Sequence, residues 1–185
     1  MGRAAVLIDG AYLDFTLRDE FNLARIGYEL LSQSLTEGLE PLRTYYYHCL
    51  PYQSNPPTPE ESERFGQRQR FYAALSRLPR YEVRLGELAL RGRDDRGQPI
   101  FQQKRVDILL GVDLVLLSAR RQITHAILVA GDSDYLPAVT AAKNEGVLVR
   151  LVHGSVHRPH RDLWDAADER VRLTQELIDR IARPR

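Results

Sequence analysis

The sequence predicts an α/β domain built on a mostly parallel sheet, and three observations carry that expectation. Ala5-Val6-Leu7-Ile8 and Ile127-Leu128-Val129-Ala130 are short apolar runs rich in β-branched residues, the composition of strands buried on both faces. Each run stops at a carboxylate beside a glycine, Asp9-Gly10 in one case and Gly131-Asp132 in the other. Segments with strand and helix periods alternate through the rest of the chain, as a parallel sheet with crossover helices requires. Open sheets of this kind keep their ligand sites outside the C-terminal ends of the strands, where these acids are expected to stand.

The elements follow in order. Strand one is read at about residues 4–9, and helical segments around 11–20 and 25–37, the second apolar at Ile26, Leu30, Leu31 and Leu35. After Pro41 a second strand runs from Leu42 to Leu50, with Tyr45, Tyr46 and Tyr47 supplying β propensity. Residues 51–59 form a proline-rich loop, and Thr58-Pro59-Glu60-Glu61 is a helix start, with Thr58 as cap and Pro59 in the first turn. That helix reaches about Leu78, and Pro79 ends it. Tyr81 to Leu90 reads as a third strand, and a polar turn over Asp94 to Gly97 allows residues 88–92 and 98–103 to pair as a hairpin. Val106 to Arg120 is too densely apolar for a surface helix, so this helix is expected to be largely buried. Residues 124–130 form strand four, 134–145 a helix beginning at the acids, and Val147 to Val152 strand five. The tail, roughly 162–182, offers Leu163, Trp164, Val171, Ile178 and Ile181 for packing.

Length and composition bound the class. At 185 residues the chain suits one domain, residues 1–185, with a full-sized core. The apolar run at residues 4–8 is too short for a secretory signal, and no stretch approaches the ~20 apolar residues of a membrane span. A cytoplasmic protein with no membrane partner is the expectation. Cys49 is the single cysteine, which excludes disulfides within the chain and cysteine-based zinc sites. The net charge of +1 conceals an asymmetry: Arg64 to Arg105 holds eleven basic residues against four acidic ones. Such a run is a solvated helix face or, beside an acidic metal site, a surface for phosphates.

The acids sort by position. Asp9 ends strand one, and Asp132 and Asp134 follow strand four. Asp107 opens the helix at Val106, where an N-cap or first-turn charge is an ordinary use. Asp113 lies six residues on, about 600° of helix rotation, so it and Asp107 point roughly 120° apart. Asp107 is therefore preferred as a ligand and Asp113 as a supporting residue. Asp132-Ser133-Asp134 also reads as a helix cap, but Asp9 on a second strand weighs against capping alone. Carboxylates gathered at one sheet edge repel one another and call for a hard divalent cation between them.

Three segments resemble the motifs of the NYN domain, in the LabA-like branch of the PIN-like nuclease superfamily. They are Leu7-Ile8-Asp9-Gly10-Ala11-Tyr12-Leu13, then Lys104-x-Val106-Asp107-x-x-Leu110-x-x-Asp113, then Val129-Ala130-Gly131-Asp132-Ser133-Asp134-Tyr135-Leu136-Pro137. The tail Leu163-Trp164-x-Ala166-Ala167-Asp168 is similar to the family's closing segment. The resemblance covers nearly the whole chain in the right order. It implies a PIN-like three-layer fold whose mostly parallel five-stranded sheet runs 3-2-1-4-5. It also implies metal-binding and catalytic acids at Asp9, Asp107, Asp132 and Asp134, a further acidic position at Asp113, and RNA cleavage dependent on Mg²⁺ or Mn²⁺. Many members carry Asn shortly after the first Asp-Gly, where this chain has Ala11 and Tyr12.

The expected chemistry is hydrolysis of single-stranded RNA by metal-activated water, more readily endonucleolytic, because oxygen-only donors suit Mg²⁺ or Mn²⁺ and such ions activate water and neutralise the leaving oxyanion. The four acids are expected to converge on one coordination shell, at oxygen-to-metal distances near ~2.0–2.2 Å. Ser133 and Asp113 are expected to support them. Arg68, Arg70, Arg91, Arg93, Lys104 and Arg105 are the expected contacts to RNA, single-stranded or structured, and a homodimer is left open. His157, Arg158, His160 and Arg161, after strand five, are placed to touch phosphate or simply to be exposed loop residues. An aspartyl-nucleophile phosphatase would need an acid two residues after Asp9, where Ala11 stands. A dinucleotide-binding fold would need a glycine-rich turn that Ile8-Asp9-Gly10-Ala11 lacks. The remaining rival is a module of the same fold that binds RNA or a partner protein and cuts slowly or not at all.

Overall fold

The computed structural model describes residues 2–93, 96 and 99–183. β1 (Arg3–Asp9) lies at the centre of a seven-stranded sheet, because its side chains are apolar on both faces. Ala5 and Leu7 pack into one core, and Ala4, Val6 and Ile8 into the other. β1 pairs in parallel with β2 (Glu40–Cys49) on one side and with β5 (His125–Val129) on the other. β3 (Tyr81–Arg93) extends the sheet beyond β2, and β6 (Leu148–His153) beyond β5. The sequence-expected order 3-2-1-4-5 is the order of these five strands.

Two more strands flank them, so the count is seven and the sheet is mixed. β4 (Pro99–Lys104) pairs antiparallel with Glu87–Arg93 of β3, the expected hairpin. The expected turn at Asp94 to Gly97 lies mostly outside the described residues. β7 (Glu169–Arg172) pairs in parallel with β6. The full order is β4-β3-β2-β1-β5-β6-β7.

Helices cover both faces. α1 (Gly10–Glu20), α2 (Tyr28–Leu35), α3 (Pro59–Ser76) and α7 (Gln175–Ile181) contribute to one core. α4 (Val106–Ala119), α5 (Leu136–Asn144) and α6 (Arg161–Ala166) contribute to the other. Tyr45 and Tyr47 point to the α4 side and Tyr46 to the α1 side, the period of two of an extended strand. α2 is shorter than expected, because Ile26 bridges to Ala182 and Gly27 N–H donates to Ile181 O, drawing that stretch into the C-terminal segment. α3 starts as the sequence requires. Thr58 accepts from Glu61 N–H and Glu61 from Thr58 N–H, a reciprocal cap that contributes about 1 kcal/mol.

α4 differs from expectation. Leu110, Leu114 and Leu117 are buried, but Ile108, Val112 and Leu116 are 68, 50 and 42% exposed. These three recur every fourth residue and form one outward stripe. The dense apolar composition therefore belongs to both faces of the helix, only one of which meets the sheet.

Candidate metal centre and nucleic-acid cleft

Parallel pairing sets the site. Ile8 is in register with Val129, so β1 and β5 deliver Asp9 and, two residues beyond Ala130, Asp132 to the same C-terminal edge. Asp9 is also the N-cap of α1: its Oδ1 accepts from Ala11 N–H at 3.0 Å and Tyr12 N–H at 3.1 Å. Asp132 Oδ1 accepts from Asp134 N–H at 3.0 Å and caps a 3₁₀ turn, Ser133–Tyr135, that leads into α5. Arg105, with φ at 73°, turns the chain from β4 into α4 and brings Asp107 to the edge in the first helical turn. Asp9, Asp107, Asp132 and Ser133 line one cleft of about 750 Å³. Asp134 and Asp107 line an adjoining groove between α4 and α5.

The acids meet at a group to which the sequence reading gave no role. Tyr135 is fully buried, and its hydroxyl lies 2.9 Å from Asp9 Oδ2 and 2.9 Å from Asp107 Oδ1. A phenol has one hydrogen, so it satisfies one carboxylate at a time. Two ionised acids on one hydroxyl therefore leave one oxygen facing another without a proton between them. Burial pushes the Asp9 carboxyl above the ordinary aspartate value, and Asp107 adds to the rise. Burial also raises Asp107, with Asp132 and Asp134 pushing the same way and the Tyr135 hydrogen bond opposing. Tyr135 is itself raised by burial and by both carboxylates. A buried Tyr immediately after two acids was a usable signal, since such a hydroxyl needs a partner.

The expected single shell of four acids is not what the structure holds. Among the described residues no three Asp, Glu, His or Cys side chains are grouped closely enough to hold an ion. One oxygen of Asp9 and one of Asp132 are turned to backbone N–H groups. The donor set nevertheless suits a hard cation, because Mg²⁺ is commonly bound through one or two carboxylates, with water and substrate phosphate completing the shell. Asp9 and Asp107 would supply the two carboxylates, with Asp132 and Asp134 exposed nearby.

Asp113 lies elsewhere. It accepts from Tyr47 Oη at 2.9 Å and pairs with Arg84 at 3.3 Å, tying α4 to β2 and β3. The basic run is also largely committed. Arg68 pairs with Asp14 at 2.5 Å, and Arg105 bonds to Glu87. Arg70, Arg91 and Lys104 are exposed, and the Arg93 side chain lies outside the described residues. None of the five with described side chains lines the cleft around Asp9 and Asp132.

The cleft walls come from other elements. Leu88 and Phe101 lean in from the β3–β4 hairpin, Tyr12 and Phe15 from α1, and His157, Arg158 and His160 from the loop after β6. Tyr12 holds that loop: its hydroxyl donates to His157 O at 2.6 Å and accepts from Gly154 N–H at 3.1 Å. His160 N–H donates to Gly131 O at 2.8 Å. Gly131 is required for this closure, since a Cβ there would lie 2.5 Å from the Tyr12 ring. Thus Tyr12, at the departure from the family's usual Asn, fastens the loop that borders the acids.

A mostly parallel sheet with carboxylates collected at its C-terminal edge defines an α/β domain with its ligand site at the strand ends. The chain belongs to the NYN domain family, whose model matches residues 3–174. NYN domains are PIN-like, are typically nucleases and usually use divalent metals. The chain is 38% identical over 80 residues to Uncharacterized protein y4oD of Sinorhizobium fredii, a match spanning 40% of this chain and 37% of that protein. Its fold is similar to the crystal structure of VPA0982, a protein of unknown function from Vibrio parahaemolyticus, with a TM-score of 0.61 and 20% identity. That likeness covers 95% of this chain and 94% of the other. Among the described residues no helix is long and apolar enough to cross a membrane.

Proposed function

We propose that this protein is a cytoplasmic, divalent-metal-dependent endoribonuclease of the LabA-like branch, acting as a single domain on single-stranded RNA. The observation that carries the reading is the meeting of Asp9 and Asp107 on one buried hydroxyl, with Asp132 and Asp134 close enough to raise Asp107 further. Acids kept together against burial and mutual repulsion are poised for a cation. When bound, Mg²⁺ or Mn²⁺ supplies charge neutralisation at the phosphate and activation of water.

The chain's own residues do the rest. Asp9 and Asp107 hold the cation, and Asp132 and Asp134 set the negative field around it. Raised carboxyls must give up their protons first, so metal loading rises as pH climbs past the ordinary aspartate range. Phe15 and Phe101, 46 and 41% exposed, offer ring faces for unpaired bases, which favours a single strand over a duplex. Arg158 and His160 border the cleft, Arg158 without a carboxylate partner among the described residues, and they face the strand's phosphates.

The test is cleavage of single-stranded RNA by purified protein with Mg²⁺, with Mn²⁺ and with EDTA, using Asp132→Asn as control. Cleavage should require metal and be lost in the variant, whose melting temperature stays level or rises. Protein that binds RNA but is inert with both metals would assign the chain to the non-cutting binding module instead. Arg158→Ala should weaken RNA affinity and flatten its salt dependence by about one phosphate contact. An unchanged salt slope would remove Arg158 from the RNA path.

A further inference from the structure

Beside the acid cleft lies a second cavity, of about 690 Å³, bounded by α1, the segment 21–27, α3 and the end of β2. We propose that it seats one nucleoside unit of the RNA strand, next to the unit held at the acids, and that it takes a base bearing an exocyclic amino group. The proposal rests on the reading of the acid cleft as an RNA site.

Continuity is the first support. Ala11 and Phe15 line both spaces, four residues and about 6 Å apart along α1. A strand crossing the acids therefore passes Phe15 directly into the second cavity. Size is the second, since the volume falls within the ~300–1,000 Å³ of small-molecule sites.

Chemistry is the third. Phe15, Phe71, Tyr28 and Ile26 give the cavity apolar and aromatic walls. Asp14 is its polar centre. Arg68 Nη2 at 2.5 Å and His48 Nε2 at 3.3 Å both approach Asp14 Oδ2. Cys49 N–H lies 2.7 Å and Cys49 O 3.0 Å from His48 Nδ1, and the other ring nitrogen, Nε2, faces Asp14. Among the described residues no donor reaches Asp14 Oδ1. The half-buried carboxyl is nonetheless held below the ordinary aspartate value, desolvation being outweighed by His48 and Arg68. It is thus an ionised acceptor with one oxygen open, fixed by a triad from three different elements. A link between α1, β2 and α3 alone has no use for an aromatic hollow around it. An amino hydrogen of adenine, cytosine or guanine fits that oxygen, whereas uracil offers only its ring N3–H, flanked by two carbonyl oxygens that a carboxylate repels. At the rim, Arg25 and Arg183 are exposed with no carboxylate partner among the described residues, suited to the strand's phosphates.

The experiment is metal-free, so it stands apart from any test of cleavage. AMP, GMP, CMP and UMP are titrated against the protein in EDTA by calorimetry, and a short oligoribonucleotide by fluorescence anisotropy. At least one amino-bearing nucleotide should bind, and UMP should bind several-fold more weakly. Asp14→Asn and Ala24→Trp should each cost at least tenfold in the affinity of that nucleotide and of the oligonucleotide. Ala24→Trp fills the cavity while leaving the triad intact, and it decides the matter if Asp14→Asn fails to fold. Absence of nucleotide binding, binding that Ala24→Trp leaves unchanged, or UMP held as tightly as the others would overturn the proposal. So would loss of mononucleotide binding with unchanged oligonucleotide affinity, which would assign the cavity to a free nucleotide. None of these results bears on whether the acids cut RNA in metal, and inert acids do not bear on the cavity.

Discussion

Asp107→Asn should reduce RNA cleavage by ~10³-fold, the order expected for loss of a central electrostatic group, and should raise the melting temperature at neutral pH. The two effects have one source. Asp107 is raised by burial first and then by Asp132 and Asp134, so its charge is costly in the folded protein. Asn keeps the shape and can still meet the Tyr135 hydroxyl, but removes the charge. The pH dependence has a definite sign. A carboxyl whose folded pKa lies above its ordinary value of 3.8 binds its proton more tightly in the folded state. Its contribution to stability is complete below that ordinary value and is lost as pH rises through the raised one. The melting temperatures of wild type and variant should therefore coincide in acid and separate toward neutrality, with the variant higher. The gap should be only a few degrees, because Asp107 is half-exposed and water screens part of the repulsion. Thermal melts across pH 3–8 in EDTA measure it. A variant less stable than wild type at neutral pH would mean that the carboxylate is a structural partner rather than a strained one.

How much of this was legible depends on whether a residue's role is local. Asp9 and Asp132 were readable because each ends an apolar run beside a glycine, and parallel strands necessarily end at one edge. Asp107 was less directly readable, since a first-turn acid is also an ordinary helix charge; the angle between it and Asp113 on one helix favoured it, and the resemblance of the surrounding motif then implied the same residue. Tyr135 stood in the same quoted segment, yet its partners lie on β1 and α4, and sequence spacing says nothing of those distances. The partners of the basic run were hidden for a related reason: Arg68 and Arg105 look free in sequence, but pair with Asp14 and Glu87, far from them in the chain. In β7, Glu169-Arg170-Val171-Arg172 has one apolar residue in four, and only the register with β6 makes it a strand. α4 shows the converse: its apolar content was plain, but not which stripe faces out.

Tyr135→Phe should destabilise the protein near neutral pH by about 1–3 kcal/mol, the cost of removing a hydrogen bond to buried charge, or roughly 2–4 °C per kcal/mol for a chain of this size. Asp9 Oδ2 and Asp107 Oδ1 would then face each other with no donor between them. Acid should erase the difference, because a protonated carboxyl of the pair can itself donate to the other. A divalent cation should erase it too, by giving the bare pair the positive charge it lacks. Melting temperature measured against Mn²⁺ concentration should therefore rise more steeply in Tyr135→Phe than in wild type, where the hydroxyl already satisfies part of the same pair. Equal slopes, with the variant displaced downward by a constant amount, would mean that the cation does not address Asp9 and Asp107. The metal reading would then have to move to Asp132 and Asp134, and Tyr135 would be a tie between β1, α4 and the 3₁₀ turn.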